Sequence, residues 1–135
     1  MSGRVMAIFS AVAVAAAIVA GLFVLGTPEE QRAERFDARR VQDLRTLSYT
    51  ITARWTQTQR LPAGTPELID GQSMSRLPVD PVSKAPYEYR VTGRRQYELC
   101  ATFDRTSPVH ELGDFWAHEP GRKCFAFDVE DKVPR

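Results

Sequence analysis

The sequence lacks an excess of charge of either sign. It has 18 lysines and arginines against 17 aspartates and glutamates, a formal net charge of +1 in 135 residues. A domain that binds nucleic acid through a basic face normally carries a clustered positive imbalance, and a domain with an acidic tail carries the reverse. Residues 27–135 are neutral once the apolar N-terminal stretch and Arg4 are set aside. We therefore expect no nucleic-acid partner.

Catalytic and metal-binding signatures are also scarce. The chain has two histidines, His110 and His118, and two cysteines, Cys100 and Cys124. Their spacing matches no common zinc pattern, so we interpret the histidines as surface residues. The sequence contains no phosphate-binding loop, no His-Glu-x-x-His motif and no nucleophile elbow. It predicts a protein that is not an enzyme and has no cofactor.

A long apolar run dominates the N-terminal part of the chain. Val5–Gly26 contains one polar side chain, Ser10. As a helix of about 33 Å, this run would cross a hydrocarbon core of about 30 Å. We interpret it as a transmembrane anchor; the alternative is a secretory signal cleaved after Gly26. Arg4 favours an N-terminus in the cytoplasm and the remaining chain outside.

The predicted organisation has four parts: a cytoplasmic tail at 1–4, a transmembrane anchor at 5–26, a charged helical stalk at 27–40 and a soluble domain at 41–135. The soluble part is long enough for one modest hydrophobic core. These segments predict a single-pass protein of the cytoplasmic (inner) membrane with a periplasmic domain.

One amphipathic helix is predicted from residue 29 to about 60. Its apolar side chains fall on one arc and are Phe36, Val41, Leu44, Leu47, Ile51 and Trp55. Thr27 and Glu30 have the spacing of a capping box. Charges from Gln31 to Arg40 surround the helix, so this part is expected to protrude from the domain. Pro62 favours an end near Leu61.

Strands follow a turn-rich connection. Residues 62–86 are rich in proline and glycine, with a possible helical turn at Pro66–Ile69 capped by Thr65. Alternation then predicts three strands, at Tyr87–Val91, Gln96–Phe103 and Cys124–Val129. An antiparallel meander whose aromatic face packs on the helix gives an α+β fold.

The two cysteines lie on the same face of the predicted sheet. Cys100 and Cys124 both point away from the aromatic face, and neighbouring strands would place their Cα atoms about 5.5 Å apart. This pattern predicts a disulfide, as is common in exported domains. Two free thiols in a cytoplasmic domain are the alternative.

The connection between the last two predicted strands, Asp104–Lys123, is long, and long loops are often functional. It is our candidate partner loop, and its candidate residues are His110, Glu111, Asp114, Phe115, Trp116 and His118. A calcium or small-ligand site here is the alternative function. For Phe115 and Trp116 we favour anchoring of the loop on the core over a ligand platform.

The segment Leu77–Arg90 carries an Asp-Pro pair followed by Pro-Tyr-x-Tyr, and Tyr97–Ala101 continues the pattern. This order resembles type IV pilin-like proteins, especially the major pseudopilins of type II secretion, over about residues 40–103. The resemblance implies a pilin-like fold and a role in protein–protein assembly. Prepilins carry a glutamate at the fifth position of the mature helix; here the fifth residue after Gly3 is Ile8.

These observations predict a membrane-anchored, non-enzymatic accessory or structural protein. Its partners would be the lipid bilayer, through residues 5–26, and a protein or membrane complex outside the cytoplasm. A filament subunit is a third interpretation.

Overall fold

The structure, a computed structural model, describes residues 3–25, 27–69, 71, 74–108 and 115–131. The chain divides into two compact units, Met1–Arg32 and Ala33–Arg135. Within the described ranges, the elements are two α-helices, one short 3-10 helix and three β-strands.

Helix α1 spans Gly3–Leu25. Its sequence has no polar face, and its large apolar side chains are exposed, from Val5 to Val24. The helical stretch within Gly3–Thr58 is long and apolar enough to cross a membrane by length and composition. A signal sequence near an N-terminus has the same properties.

Helix α2 spans Pro28–Thr58. The predicted capping box is present at its start: the Thr27 amide donates to Glu30 Oε2 at 3.0 Å, and the Glu30 amide donates to Thr27 Oγ1 at 3.3 Å. The helix ends before Gln59, which adopts a left-handed φ of 53°. The predicted position and length of this helix are confirmed.

The sheet has three strands: β1 (Glu88–Val91), β2 (Gln96–Phe103) and β3 (Gly121–Asp128). Their order is β1-β2-β3, and both pairs are antiparallel. The sheet is the predicted meander, except that β3 begins three residues before the expected Cys124.

The core lies between α2 and the aromatic face of the sheet. The buried stripe of α2, with Leu44, Leu47 and Ile51, belongs to one cluster with side chains of β2 and β3. Tyr97 of β2 stacks on Phe127 of β3, with ring centroids 5.1 Å apart. The α+β arrangement predicted from the sequence is therefore confirmed, and burial of these aromatic and aliphatic side chains stabilises it.

Two local predictions are wrong. Asp37 and Arg40 were expected on an exposed stalk, but their relative exposures are 5% and 4%. They are buried because carboxylates and a guanidinium neutralise one another there, as described below. The short helix η1 spans Thr65–Leu68, and its N-cap is Gly64 with no side-chain cap, not Thr65.

Candidate functional site

Arg40 is the centre of a buried charge cluster. Its Nε donates to Asp80 Oδ2 at 2.6 Å, and its Nη1 donates to Asp37 Oδ1 at 2.7 Å and to Asp104 Oδ2 at 2.6 Å. A planar guanidinium has enough donors to hold several carboxylates at once. Arg40 thereby joins α2, the turn before β1 and the end of β2.

Asp37 adds a second connection between α2 and the end of β2. Its carboxylate accepts the backbone amides of Asp104, at 3.0 and 3.1 Å, and of Arg105, at 2.8 Å. Asp37 lies one turn before Arg40 on the same helix face, so both side chains reach the end of β2 together.

Asp80 organises the turn that precedes β1. Its Oδ1 accepts the amides of Val82 at 2.9 Å and Ser83 at 2.8 Å. Its backbone amide donates to the Ala85 carbonyl at 2.9 Å, which closes the turn. An aspartate followed by a proline favours this conformation, and the predicted Asp-Pro turn is present.

The cluster shifts the ionisation of its members. Burial alone would raise the pKa of Asp80, but hydrogen bonds from Arg40 and from two backbone amides outweigh it and lower that pKa from 3.8 to about 2. Burial would lower the pKa of Arg40, and the three carboxylates raise it instead. Arg40 and Asp80 therefore remain charged at neutral pH.

A second buried contact lies beside the first. The Tyr87 hydroxyl donates to Asp43 Oδ2 at 2.9 Å. Burial, followed by the hydrogen bond to this carboxylate, raises the pKa of Tyr87. Because the phenol remains protonated at neutral pH, it serves as a hydrogen-bond donor that holds the start of β1 against α2.

A cavity of about 350 Å³ lies next to the Arg40 cluster. Arg40, Asp80, Tyr87, Cys100, Thr102 and Asp104 are among its lining residues. The guanidinium is already occupied by carboxylates of the chain itself. Asp104 is the half-exposed member, with a side-chain exposure of 48%, while the Asp80 side chain is 12% exposed. The geometry is that of a structural cross-link between α2, the turn before β1 and the end of β2.

Cys100 and Cys124 lie directly opposite each other on β2 and β3, with Cα atoms 4.0 Å apart. Their sulphur atoms are 2.12 Å apart, the distance of a disulfide bond. The strand phases therefore place the cysteines as predicted. Arg122 lies on the same face, with its Nη2 3.5 Å from Cys100 Sγ, and it also pairs with Glu88.

The structure describes three of the six candidate residues of the partner loop, Phe115, Trp116 and His118. His110, Glu111 and Asp114 lie outside the described residues, so their roles remain predictions. Trp116 is fully buried and contacts Phe125, with ring centroids 5.0 Å apart, and Phe115 packs beside it. The expectation that these two aromatics anchor the loop on the core is confirmed.

The prediction that His118 is a surface residue is wrong. Its relative exposure is 5%, and its ring stacks on Phe103 with centroids 3.7 Å apart. Its Nδ1 lies 2.9 Å from the Trp116 carbonyl oxygen, and its backbone amide donates to Ser107 Oγ at 3.1 Å. Aromatic neighbours and backbone partners make this side chain part of the core.

Potential metal ligands come together at one place in the ranges that the structure describes, at Glu98, Cys100 and Cys124. The two sulphur atoms are joined to each other, and Glu98 pairs with Arg90. A zinc site needs deprotonated, unjoined thiolates, so this group does not fit a metal. Asp104, the first residue of the candidate partner loop, is bound to Arg40.

Comparisons with protein-family models, with curated proteins and with solved structures give no match. A long helix, α2, packed on a small antiparallel meander is nevertheless loosely pilin-like in shape.

Proposed function

We propose that this protein is a single-pass membrane protein that presents a non-enzymatic, pilin-like domain outside the cytoplasmic membrane for protein–protein assembly. The observation that carries the proposal is helix α1, because its large apolar side chains are exposed along its length. In water such a surface would aggregate, whereas lipid covers it. Arg4 precedes the apolar run and favours a cytoplasmic N-terminus.

The cysteine pair supports the proposal that the domain lies outside the cytoplasmic membrane. A disulfide persists in oxidising compartments and is rare in the cytosol. Cys100 and Cys124 at bonding distance therefore favour a domain outside the cytoplasm. The assembly role is supported by the pilin-like arrangement of α2 and the sheet, and by Arg40, whose three carboxylate partners hold a scaffold together.

Thiol labelling tests the placement. Intact cells and lysates are treated with a membrane-impermeant maleimide, with and without reductant, and the full chain is then examined by gel shift. Without reductant we expect no labelling of Cys100 and Cys124. In cells whose outer membrane is permeabilised and whose cytoplasmic membrane is intact, we expect labelling after treatment with an impermeant reductant. Free thiols that react only after lysis would place the domain in the cytoplasm and contradict the proposal.

Cross-linking in membranes tests the assembly role. Membranes are cross-linked, gently solubilised and analysed for species larger than the monomer. Mass spectrometry of the same material reports whether α1 is retained. Recovery of the monomer alone would contradict assembly, and a chain that begins after Gly26 would identify a cleaved signal in place of an anchor.

A further inference from the structure

Strand β3 forms one edge of the sheet. The strand order β1-β2-β3 places one side of β3 against β2, and no strand among the described residues pairs with its other side. An open edge presents unpaired backbone amides and carbonyls, which can pair with another chain. β3 spans eight residues, twice the length of β1 on the opposite edge.

The register identifies the backbone groups on the open edge. In antiparallel sheets, residue pairs with close Cα atoms are those that do not exchange hydrogen bonds, and Cys100 and Cys124 are 4.0 Å apart. The odd-numbered residues of β3 therefore bond to β2; in agreement, the next odd residue, Val129, donates its amide to the Arg95 carbonyl at 3.1 Å. The amides of Arg122, Cys124, Ala126 and Asp128 point outwards, as do the carbonyls of these residues; the Asp128 carbonyl already accepts the Asp131 amide at 3.1 Å.

The side chains along this edge have opposite charges at opposite ends. Arg122 and Lys123 are at the beginning of β3, and Asp128 is at its end. The outward sheet face between them carries the small residue Ala126, which is exposed, and the half-buried Cys124. An antiparallel copy of the same strand would bring the basic end of each chain against the acidic end of the other.

We propose that β3 pairs with β3 of a second copy of this chain about a two-fold axis. The inference rests on the proposed assembly function and names its partner. In the register centred on Phe125, Arg122 lies opposite Asp128 of the partner subunit, and Cys124 lies opposite Ala126 of the partner subunit. This register keeps every paired residue within Gly121–Asp128. Pro120, which has no amide hydrogen, ends the ladder.

The contact is self-complementary, as a two-fold interface requires. It contains two Arg–Asp cross-strand pairs and joins two three-stranded sheets into one six-stranded sheet. Both side chains already have partners within the chain. The exposed Arg122 holds Glu88 at 2.6 Å. The half-buried Asp128 accepts from Gln96 at 2.9 Å and from the Glu130 amide at 3.0 Å, and it lies 3.7 Å from Arg95, so pairing across the interface must share or replace these contacts. Exposed ion pairs exchange partners at little cost in free energy.

Charge exchange tests the register. The full chain is purified in detergent, and its monomer–dimer equilibrium is measured by dilution with analytical ultracentrifugation. Arg122→Asp and Asp128→Arg each place two like-charged pairs in the interface, and each is expected to weaken dimerisation about tenfold. The double variant restores opposite charges and is expected to recover dimerisation. Local defects within one chain persist in the double variant, because six residues of strand, about 20 Å, separate the two positions.

Amide hydrogen exchange provides an independent measurement on the wild-type chain. We expect slow exchange at Arg122, Cys124, Ala126 and Asp128 at high protein concentration and fast exchange at low concentration. Phe125 and Phe127, whose amides face β2, serve as internal controls and remain protected at both concentrations.

Three results would overturn the inference. The first is a dimerisation constant that neither charge reversal changes. The others are exchange of the four edge amides that is fast at every concentration, or slow at every concentration. Fast exchange in the pure protein together with cross-linked species in membranes would retain the assembly function and assign the edge to a different protein. If the chain forms the predicted dimer in detergent but thiol labelling places the domain in the cytoplasm, the strand-pairing inference stands and the proposed placement is wrong.

Discussion

At the residue scale, Arg40 is a buried cation held by contacts in three directions. It is 4% exposed and holds three carboxylates. Removing one partner from a buried charge cluster is far more costly than removing an exposed pair, because the remaining charges keep their desolvation cost and lose the compensating attraction.

Arg40→Met is expected to lower the free energy of unfolding by about 3–5 kcal/mol, since Asp37 and Asp80 would remain buried without their cation. The measurement is denaturant unfolding of the full chain in detergent, followed by circular dichroism. Arg39→Met is the matched control. The Arg39 side chain is 68% exposed and pairs with Asp43 at the surface of α2, so a loss below about 1 kcal/mol is expected. Equal losses in both variants would contradict the structural role of Arg40.

The depressed pKa of Asp80 predicts a specific acid sensitivity. A carboxylate with a pKa of 3.8 when unfolded and about 2 when folded stabilises the fold above pH 4, and this stabilisation is lost as the pH falls from about 4 to 2. The loss amounts to about 2 kcal/mol. Denaturation midpoints measured between pH 5 and 2 should fall more steeply for the wild type than for Asp80→Asn. If the denaturation midpoints of the wild type and Asp80→Asn fell equally with pH, ionised Asp80 would not stabilise the fold.

The sequence predicted the Asp80 turn but missed the cluster around it. Proline after an aspartate is a local signal, whereas Arg40 and Asp104 are separated by 64 positions. One signal was available: Asp37 and Trp55 are 18 residues apart, about five helical turns, and so share the buried face of α2. A charged residue on the apolar face of a helix indicates that its side chain has a buried partner of opposite charge. The many other charged residues near Asp37 made its position on this face hard to recognise in the sequence.

At the element scale, α2 contributes a stripe of side chains with no exposure. Leu44→Ala is expected to lower the free energy of unfolding by about 2–5 kcal/mol, because it leaves a cavity against the aromatic face of the sheet. Tyr49→Ala on the same helix, at a position 52% exposed, should change it by less than about 1 kcal/mol. Denaturant unfolding compares the two variants, and similar losses would contradict the packing of α2 on the sheet.

The disulfide joins β2 to β3 across a sequence separation of 24 residues. Replacing both cysteines by alanine is expected to lower the free energy of unfolding by about 3 kcal/mol, mainly by freeing the unfolded chain. Reductant should destabilise the wild type by a similar amount and leave the double variant unchanged. A wild type whose unfolding does not respond to full reduction would contradict this contribution.

The helices and strands could be predicted where apolar residues recur with a regular spacing. The errors fall where this spacing is missing. Phe125 and Phe127 alternate with small or polar residues, so the second half of β3 was predicted. Gly121–Lys123 have no such alternation, and their strand conformation comes from pairing with Ala101–Phe103 across the sheet. The burial of His118 likewise depends on Phe103, which is distant in sequence.

At the scale of the whole molecule, the proposed anchoring of the chain by α1 leads to a prediction about membrane association. The full-length protein is expected to remain with membranes after a high-pH wash. Val14→Asp, near the middle of the apolar run, adds about 3 kcal/mol to the free energy of insertion and should release much of the protein. Val82→Asp makes the same change at a position 55% exposed in the second unit and should release none. Equal extraction of all three proteins would contradict a membrane anchor.

The Arg40 cluster also sets a temporal order on biosynthesis. The ribosome adds Arg40 long before Asp80, and Asp80 before Asp104. Until all three carboxylates have emerged, the guanidinium must stay hydrated, and the start of α2 cannot settle into its final position. Synthesis of the end of β2 is therefore the step after which the Arg40 side chain can lose its water and become buried.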